Sequence, residues 1–237
     1  MPGGLHQRVL DALGARIVSG VLAAGDVVHA ESFEKEFDVS RSVVREAVRV
    51  LQSLGLVESV RRVGMRVLPA ARWNVYDPLV IRWRLASPSG GVQLRSLTEL
   101  RNAVEPAAAE LAAIHASDDE GAELVGLAAR MRSLGRAGDL DGFLALDIEF
   151  HSRVMRASGN DMFASLDRVI AEVLTGRTDQ GLMPSHPHEE ALAWHAEVAD
   201  AVHGRRPDDA HRAMDRIMRR AFAEMAEIWA DEPRPRL

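Results

Sequence analysis

The alternation of apolar and polar positions divides the chain into a mixed first quarter and a purely helical remainder. In LHQRVLDALGARIVSG, Leu5, Val9, Leu10, Leu13 and Ile17 recur at helical spacing, and Gly20 ends the stripe. A short extended piece at Val27 and Val28 leads into a second predicted helix, ESFEKEFDV. Ser40 then offers its hydroxyl as a cap for a third helix that runs to Leu54 and stops at Gly55. LVESVRRVGMRVL follows as two short β-rich runs around a turn at Gly64, where glycine permits a positive φ. Three helices and a small hairpin make the winged helix-turn-helix pattern, whose third helix enters the major groove of DNA.

From Pro69 to Pro88 the text changes to PAARWNVYDPLVIRWRLASP, punctuated by Pro69, Pro78 and Pro88 and carrying Trp73 and Trp83. A flexible linker would be polar and rich in Gly and Ser. This one is expected to pack its aromatics at a junction and to form a short helix from Asp77. Beyond Gly91 the periodicity is helical throughout, with helices predicted over about 94–116, 118–136, 139–158, 160–179, 187–204 and 207–231. Their short loops predict an all-α antiparallel bundle able to hold an interior pocket. The fold class is therefore mainly α. It comprises a winged helix-turn-helix DNA-binding domain over 1–70, a linker with a short helix over 71–90, and an all-helical effector-binding domain over 91–237.

Composition adds constraints. The 237 residues include no cysteine, which excludes disulfides and thiolate metal sites. No apolar signal region and no run of 18 apolar residues is present, so a soluble, cytoplasmic protein without a membrane partner is expected. The net charge is −6, yet Val39–Arg66 holds six arginines against Glu46 and Glu58, or +4. Residues 69–237 hold 20 basic and 27 acidic residues, or −7. A basic patch on an acidic body assigns polyanion binding to one part of the chain only. Within that patch Arg41, Arg45 and Arg49 stand four apart and share one helix face. Glu46 lies off the stripe and is not expected to neutralise it. Arg61, Arg62 and Arg66 make the hairpin cationic as well.

The bundle carries one polar constellation. In LALDIEFHSRVM, Asp147 and His151 are four apart on a face shared with Leu144, Ile148 and Met155. His195 stands among Leu192, Val198, Ala199 and Val202 on a later helix. A carboxylate with imidazoles suits Zn, Ni, Mn or Fe, while a buried Asp–His hydrogen bond is the plainer alternative. Arg101, one turn from Glu105, is either half of a surface salt bridge or an inward guanidinium for a ligand carboxylate. His186 and His188, flanking Pro187, read as exposed loop residues.

These segments resemble a family. DVSRSVVREAVRVLQSLGLVE followed by VGMRV is similar to the head of GntR-family transcriptional regulators of the FadR type. ELRNAVEPAAAELAA and DIEFHSRVMRASGN match the helical FCD effector domain of that type. RWNVYDPLVIRW resembles a segment of sugar-acid operon regulators such as galactonate repressors. The resemblance covers essentially the whole chain and implies DNA-contacting roles for Arg41, Ser42, Arg45, Arg49 and Gly64, beside the wing residues Arg62 and Arg66. It also implies a metal centre of one Asp and three His. Asp147, His151 and His195 occupy three of those places, but the fourth falls on Ile217, and His211 is about 120° away round its helix.

The implied protein is a homodimeric repressor that binds double-stranded operator DNA with inverted half-sites and releases it with a small carboxylate effector. That effector, a sugar acid or hydroxy-acid, would be bound by Arg101, Asp147, His151 and His195 beside a divalent metal such as Zn, Ni or Mn. Arg45 and Arg49 would approach base edges, while Arg41, Ser42 and the wing hold the backbone. The rival reading is a metal-dependent hydrolytic enzyme with a DNA-localising head; a blander one is a DNA-bound architectural protein with an inert bundle.

Overall fold

The computed structural model describes residues 4–182 and 187–230. Its contacts divide into two compact units, the first extending to Gln93 and the second beginning at Leu94.

In the first unit, α1 (Leu5–Val18), α2 (Ala30–Phe37) and α3 (Arg41–Ser53) precede a three-stranded antiparallel sheet. Its strands are β1 (Val27–Val28), β2 (Val57–Val60) and β3 (Gly64–Val67), in the order β1-β3-β2. Val9, Leu10, Leu13 and Ile17 of α1 bury against Val44, Ala47, Val48 and Leu51 of α3, as the apolar stripes require. Met65 and Val67 close the core from the sheet.

The expected cap at Ser40 takes another form. Ser40 occupies the N-cap position with extended backbone, but its hydroxyl pairs with that of Ser42 at 2.8 Å and makes no hydrogen bond to a helix amide. At the wing, residues 61–63 form the turn, and Val60 pairs with Gly64. Gly64 has φ +129°, and a Cβ there would lie 2.7 Å from the Val28 carbonyl oxygen. Glycine thus serves the close approach of β3 to β1 as well as the backbone conformation.

A fourth helix, α4 (Pro78–Leu85), starts at Asp77, whose carboxylate accepts from the Leu79 amide at 2.9 Å with Pro78 in the first turn. Trp83 belongs to the core of this unit. Its indole lies over Gly14, where a Cβ would come within 2.5 Å of the ring, and its Nε1 donates to Asp11 Oδ1 at 3.0 Å. Trp73 Nε1 donates to the Leu68 carbonyl at 3.0 Å.

The second unit is built from the rest of α5 (Gly90–His115) with α6 (Asp118–Ala137), α7 (Leu140–Ala157), α8 (Asp161–Ala164), α9 (Asp167–Asp179), α10 (Glu189–His203) and α11 (Pro207–Met225). Among the described residues it contains no strand. Ser117 and Glu120 form a reciprocal capping box that starts α6, and Asp139 caps α7 through the Gly142 amide. The helix expected over 160–179 is divided. The Ser165 hydroxyl donates to the Met162 carbonyl at 2.7 Å, and α9 begins afresh two residues later. The last helix ends at Met225 and tightens into a 3-10 turn over Ala226–Trp229. Leu124, Met131, Phe150, Met155, Leu192 and Met214 form the centre of the core. Among the described residues no helix is long and apolar enough to cross a membrane.

Candidate functional site

The first unit carries an open groove of about 640 Å³ between α3 and the wing, lined by Arg41, Arg45, Arg49, Arg61 and Arg62 among others. The core-facing residues of α3 fix its roll, so that Arg41, Ser42, Arg45 and Arg49 are all exposed. Gln52 Nε2 donates to the Ser59 hydroxyl at 2.6 Å, which ties the far end of α3 to β2 and sets the angle between helix and wing. Arg62 takes a left-handed backbone, φ +64°, a conformation costing a non-glycine residue about 1–2 kcal/mol.

Three placements differ from expectation or qualify it. Arg49 Nη1 donates to Glu46, so the acidic residue does engage the stripe, as an exposed pair worth under about 1 kcal/mol. Arg66 does not line the groove: it stands opposite Glu58 in the strand register and pairs with it at 3.5 Å. Glu31 at the start of α2 lines the groove and was not singled out from the sequence. Among the described residues Arg41 and Arg45 have no ion-pair partner.

The second unit holds a pocket of about 60 Å³ between α5, α7, α9, α10 and α11. The i,i+4 spacing on α7 brings Asp147 Oδ1 and His151 Nε2 to 3.4 Å, and α10 brings His195 Nε2 to 3.3 Å from the same oxygen. Both imidazoles are oriented from behind. His195 Nδ1 lies 2.7 Å from the Ala191 carbonyl, and His151 Nδ1 lies 2.5 Å from Glu105 Oε2. That second contact is close but poorly aligned for a hydrogen bond, so it is chiefly electrostatic. Glu105 is held in turn by Arg101. Arg101, only 3 % exposed, is therefore a buried ion pair and not a surface one.

Charge is nearly balanced here. Burial disfavours the Glu105 carboxylate, but Arg101 and His151 more than reverse this and hold its pKa at about 2. Burial likewise opposes the His151 imidazolium, while Glu105 and Asp147 push its pKa up to about 9. For Asp147 burial is outweighed by His151 and His195, and its pKa falls well below the carboxylate range. Burial lowers the pKa of Arg177, on α9, against the pull of Glu224.

The residues present fit a divalent cation. Asp147, His151 and His195 offer one oxygen and two nitrogens within 4.8 Å of one another, and Asp147 Oδ1 and His195 Nε2 are buried without a hydrogen-bond partner. Ligand imidazoles oriented by a carboxylate and a backbone carbonyl are the usual surroundings of such a centre. Ile217 lines the same cavity and supplies no donor. His211 pairs with Glu110 at 2.9 Å and does not line the cavity. His188 is exposed, and His186 lies outside the described residues. The sequence reading missed Arg177, Arg220 and Glu224, all of which line the cavity. A signal existed for Arg177, which follows Ile170, Val173 and Leu174 at i+7 on one apolar stripe.

Residues 5–67 match the bacterial regulatory proteins of the gntR family, and residues 96–220 match the FCD domain. The chain belongs to the GntR regulators that carry an FCD domain. The galactonate operon transcriptional repressor of Escherichia coli K12 is 29 % identical over 229 residues, covering 93 % of this chain and 96 % of that one. The probable D-xylose utilization operon transcriptional repressor of Paenarthrobacter nicotinovorans is 28 % identical, covering 87 % and 82 %. Among solved structures, the Listeria monocytogenes regulator Lar superposes with a TM-score of 0.59 at 17 % identity, covering 96 % of this chain and 99 % of that one. Escherichia coli McbR/YncC gives 0.54 at 16 %, covering 96 % and 99 %. Both show the shared fold. As a GntR regulator this protein is a DNA-binding transcriptional regulator and not an enzyme, which removes the hydrolase reading.

Proposed function

We propose that this GntR regulator is a cytoplasmic, homodimeric repressor of a sugar-acid or hydroxy-acid operon. Each head binds one of two inverted half-sites. Arg45 and Arg49 approach guanine edges, and Arg41, Ser42, Arg61, Arg62 and the backbone at Gly64 hold phosphates or the minor groove. Arg66, paired with Glu58 away from the groove, contributes charge at a distance only. A divalent ion held by Asp147, His151 and His195 would supply a Lewis-acidic point for a hydroxyl or carboxylate oxygen of the effector. The chain's own residues do the rest: Glu105 and Ala191 orient the imidazoles, Arg101 fixes Glu105, and Phe143 and Leu174 supply apolar wall.

The observation that carries this reading is a small pocket in the helical unit containing an oriented Asp-His-His set beside buried guanidinium groups. The likeness to a galactonate operon repressor supports a sugar acid as the class. A cavity of about 60 Å³ is small against the roughly 300–1,000 Å³ of typical ligand pockets, so an effector must displace side chains to enter. That displacement is the means by which binding can favour one arrangement of the protein over another. Calorimetric titration of the full chain with aldonates, with and without a chelator, tests the class. Saturable binding that a chelator weakens, and that lowers operator affinity in fluorescence anisotropy, is expected. Failure of any aldonate to bind would sink the effector assignment.

A further inference from the structure

The cationic groups around the cavity are unequally committed. Arg101 turns its Nε–Nη2 edge to both carboxylate oxygens of Glu105, the second contact at 3.4 Å, so that edge is not open to a ligand. Arg220 is shared between Glu190, at 2.9 Å, and Glu224, at 2.8 Å, and its guanidinium also lies over the Trp194 ring. Arg177 differs. It is 8 % exposed and lines the cavity, and its Nη2 donates to Glu224 Oε2 at 2.5 Å. Its Nε is buried with no hydrogen-bond partner.

Nε and Nη2 form the edge with which a guanidinium grips both oxygens of one carboxylate. On Arg177 that edge is half filled, by a carboxylate that already has a second cation. Glu224 Oε1 accepts from Arg220 Nε, so Glu224 can leave Arg177 without being stranded.

We infer that Arg177, not Arg101, is the anchor for the effector's carboxylate, and that Glu224 is the resident group this carboxylate displaces. The assignment rests on the sugar-acid reading above and makes it specific. The ligand's carboxylate takes both donors of the Nε–Nη2 edge, and Glu224 falls back on Arg220. Binding is thereby felt on α11, which carries Glu224 and Arg220, and on α10, which carries Glu190 and Trp194. The ligand is a monocarboxylate of the aldonate kind, whose hydroxyl-bearing end reaches Asp147, His151 and His195. A neutral polyol of equal length lacks the group that Arg177 selects.

The test is calorimetric titration of the full-length protein, supplied with Zn²⁺, using D-galactonate and D-gluconate as probes and galactitol as the neutral control. The parent is expected to bind an aldonate and not galactitol. R177Q is expected to bind it roughly 10- to 100-fold more weakly, with R177K between the two. E224Q, which weakens the resident competitor, is expected to bind several-fold more tightly. A pair that is merely structural would give weaker binding in R177Q and E224Q alike, and that result overturns the assignment. So does R177Q binding at parental affinity. If R177Q fails to fold, E224Q decides alone, and unchanged or weaker binding by it rejects the displacement. A parent that binds neither aldonate removes the sugar-acid reading and this anchor together, an outcome distinct from a parent that binds and an R177Q that binds equally well.

Discussion

Glu105 stands at the centre of the buried network, between Arg101 and His151, and is 1 % exposed. Replacing it by Leu strands the buried Arg101 guanidinium without its carboxylate. Removing one partner of a buried pair costs about 3–5 kcal/mol, most of it the penalty on the charge left behind. At about 2–4 °C per kcal/mol for a chain of this size, melting should fall by roughly 6–20 °C. Adding Arg101→Met removes the stranded charge, and the double variant should recover most of that stability, since a well-packed apolar pair is often as stable as an ion pair. Metal affinity should not recover. In both variants His151 Nδ1 has lost the carboxylate that orients the ring, a loss worth about 10–100-fold in metal binding. Urea unfolding measures the first quantity, and Zn²⁺ competition against a chromophoric chelator the second. A single variant that loses under about 1 kcal/mol would show that Arg101 reaches water. A double variant with parental Zn²⁺ affinity would show that Glu105 does not orient His151.

Further outcomes are expected at four positions. Arg45→Ala should weaken operator binding by roughly 5- to 150-fold, from about 1–3 kcal/mol for a bidentate base contact, and flatten sequence preference in anisotropy titrations; retained selectivity would contradict the placement of α3. Gly64→Ala should destabilise the head by about 1–3 kcal/mol in denaturant unfolding, because its Cβ meets the Val28 carbonyl at 2.7 Å. Trp83→Phe should cost about 1.5–3 kcal/mol through the lost bond to Asp11, and an unchanged denaturation midpoint would place that indole N–H in water. Ile217→His adds an imidazole to the cavity wall and should tighten Zn²⁺ binding at least tenfold, whereas unchanged affinity would mean that position 217 does not reach the triad.

The fold was legible wherever periodicity and punctuation agreed. Leu5 to Ile17 and the arginine helix ended by Gly55 read directly from spacing, as did the existence of the hairpin, although its turn lies at residues 61–63 and Gly64, expected to be the turn, opens β3. The break between α8 and α9 was not legible, because no glycine or proline marks it between Asp161 and Ile170. Nor was the seat of Trp83 legible. Its recess exists because residue 14, 69 positions away, lacks a side chain. Periodicity reports which face of a helix is buried and not which partner buries it.

The site divides along the same line. Asp147 and His151 could be found because two polar groups interrupt one apolar face at i,i+4, and His195 because it stands among Leu192, Val198 and Val202. Glu105 was read only as the neighbour of Arg101, and Arg177 and Glu224 were not singled out, although Arg177 occupies a stripe position. The physical chemistry of such positions supplies an argument about purpose. A core of leucines and methionines filling the places of Arg101, Glu105, Asp147, His151, Arg177 and His195 would be at least as stable, since buried ion pairs seldom outdo well-packed apolar groups. The same core would leave no Asp147 Oδ1, His195 Nε2 or Arg177 Nε buried without a hydrogen-bond partner. Stability therefore cannot account for these six residues, and the pairing among them is incomplete at the atoms a cation and a carboxylate would complete. A folded, uncharged replacement of the set that still released operator DNA on adding an aldonate would break that argument.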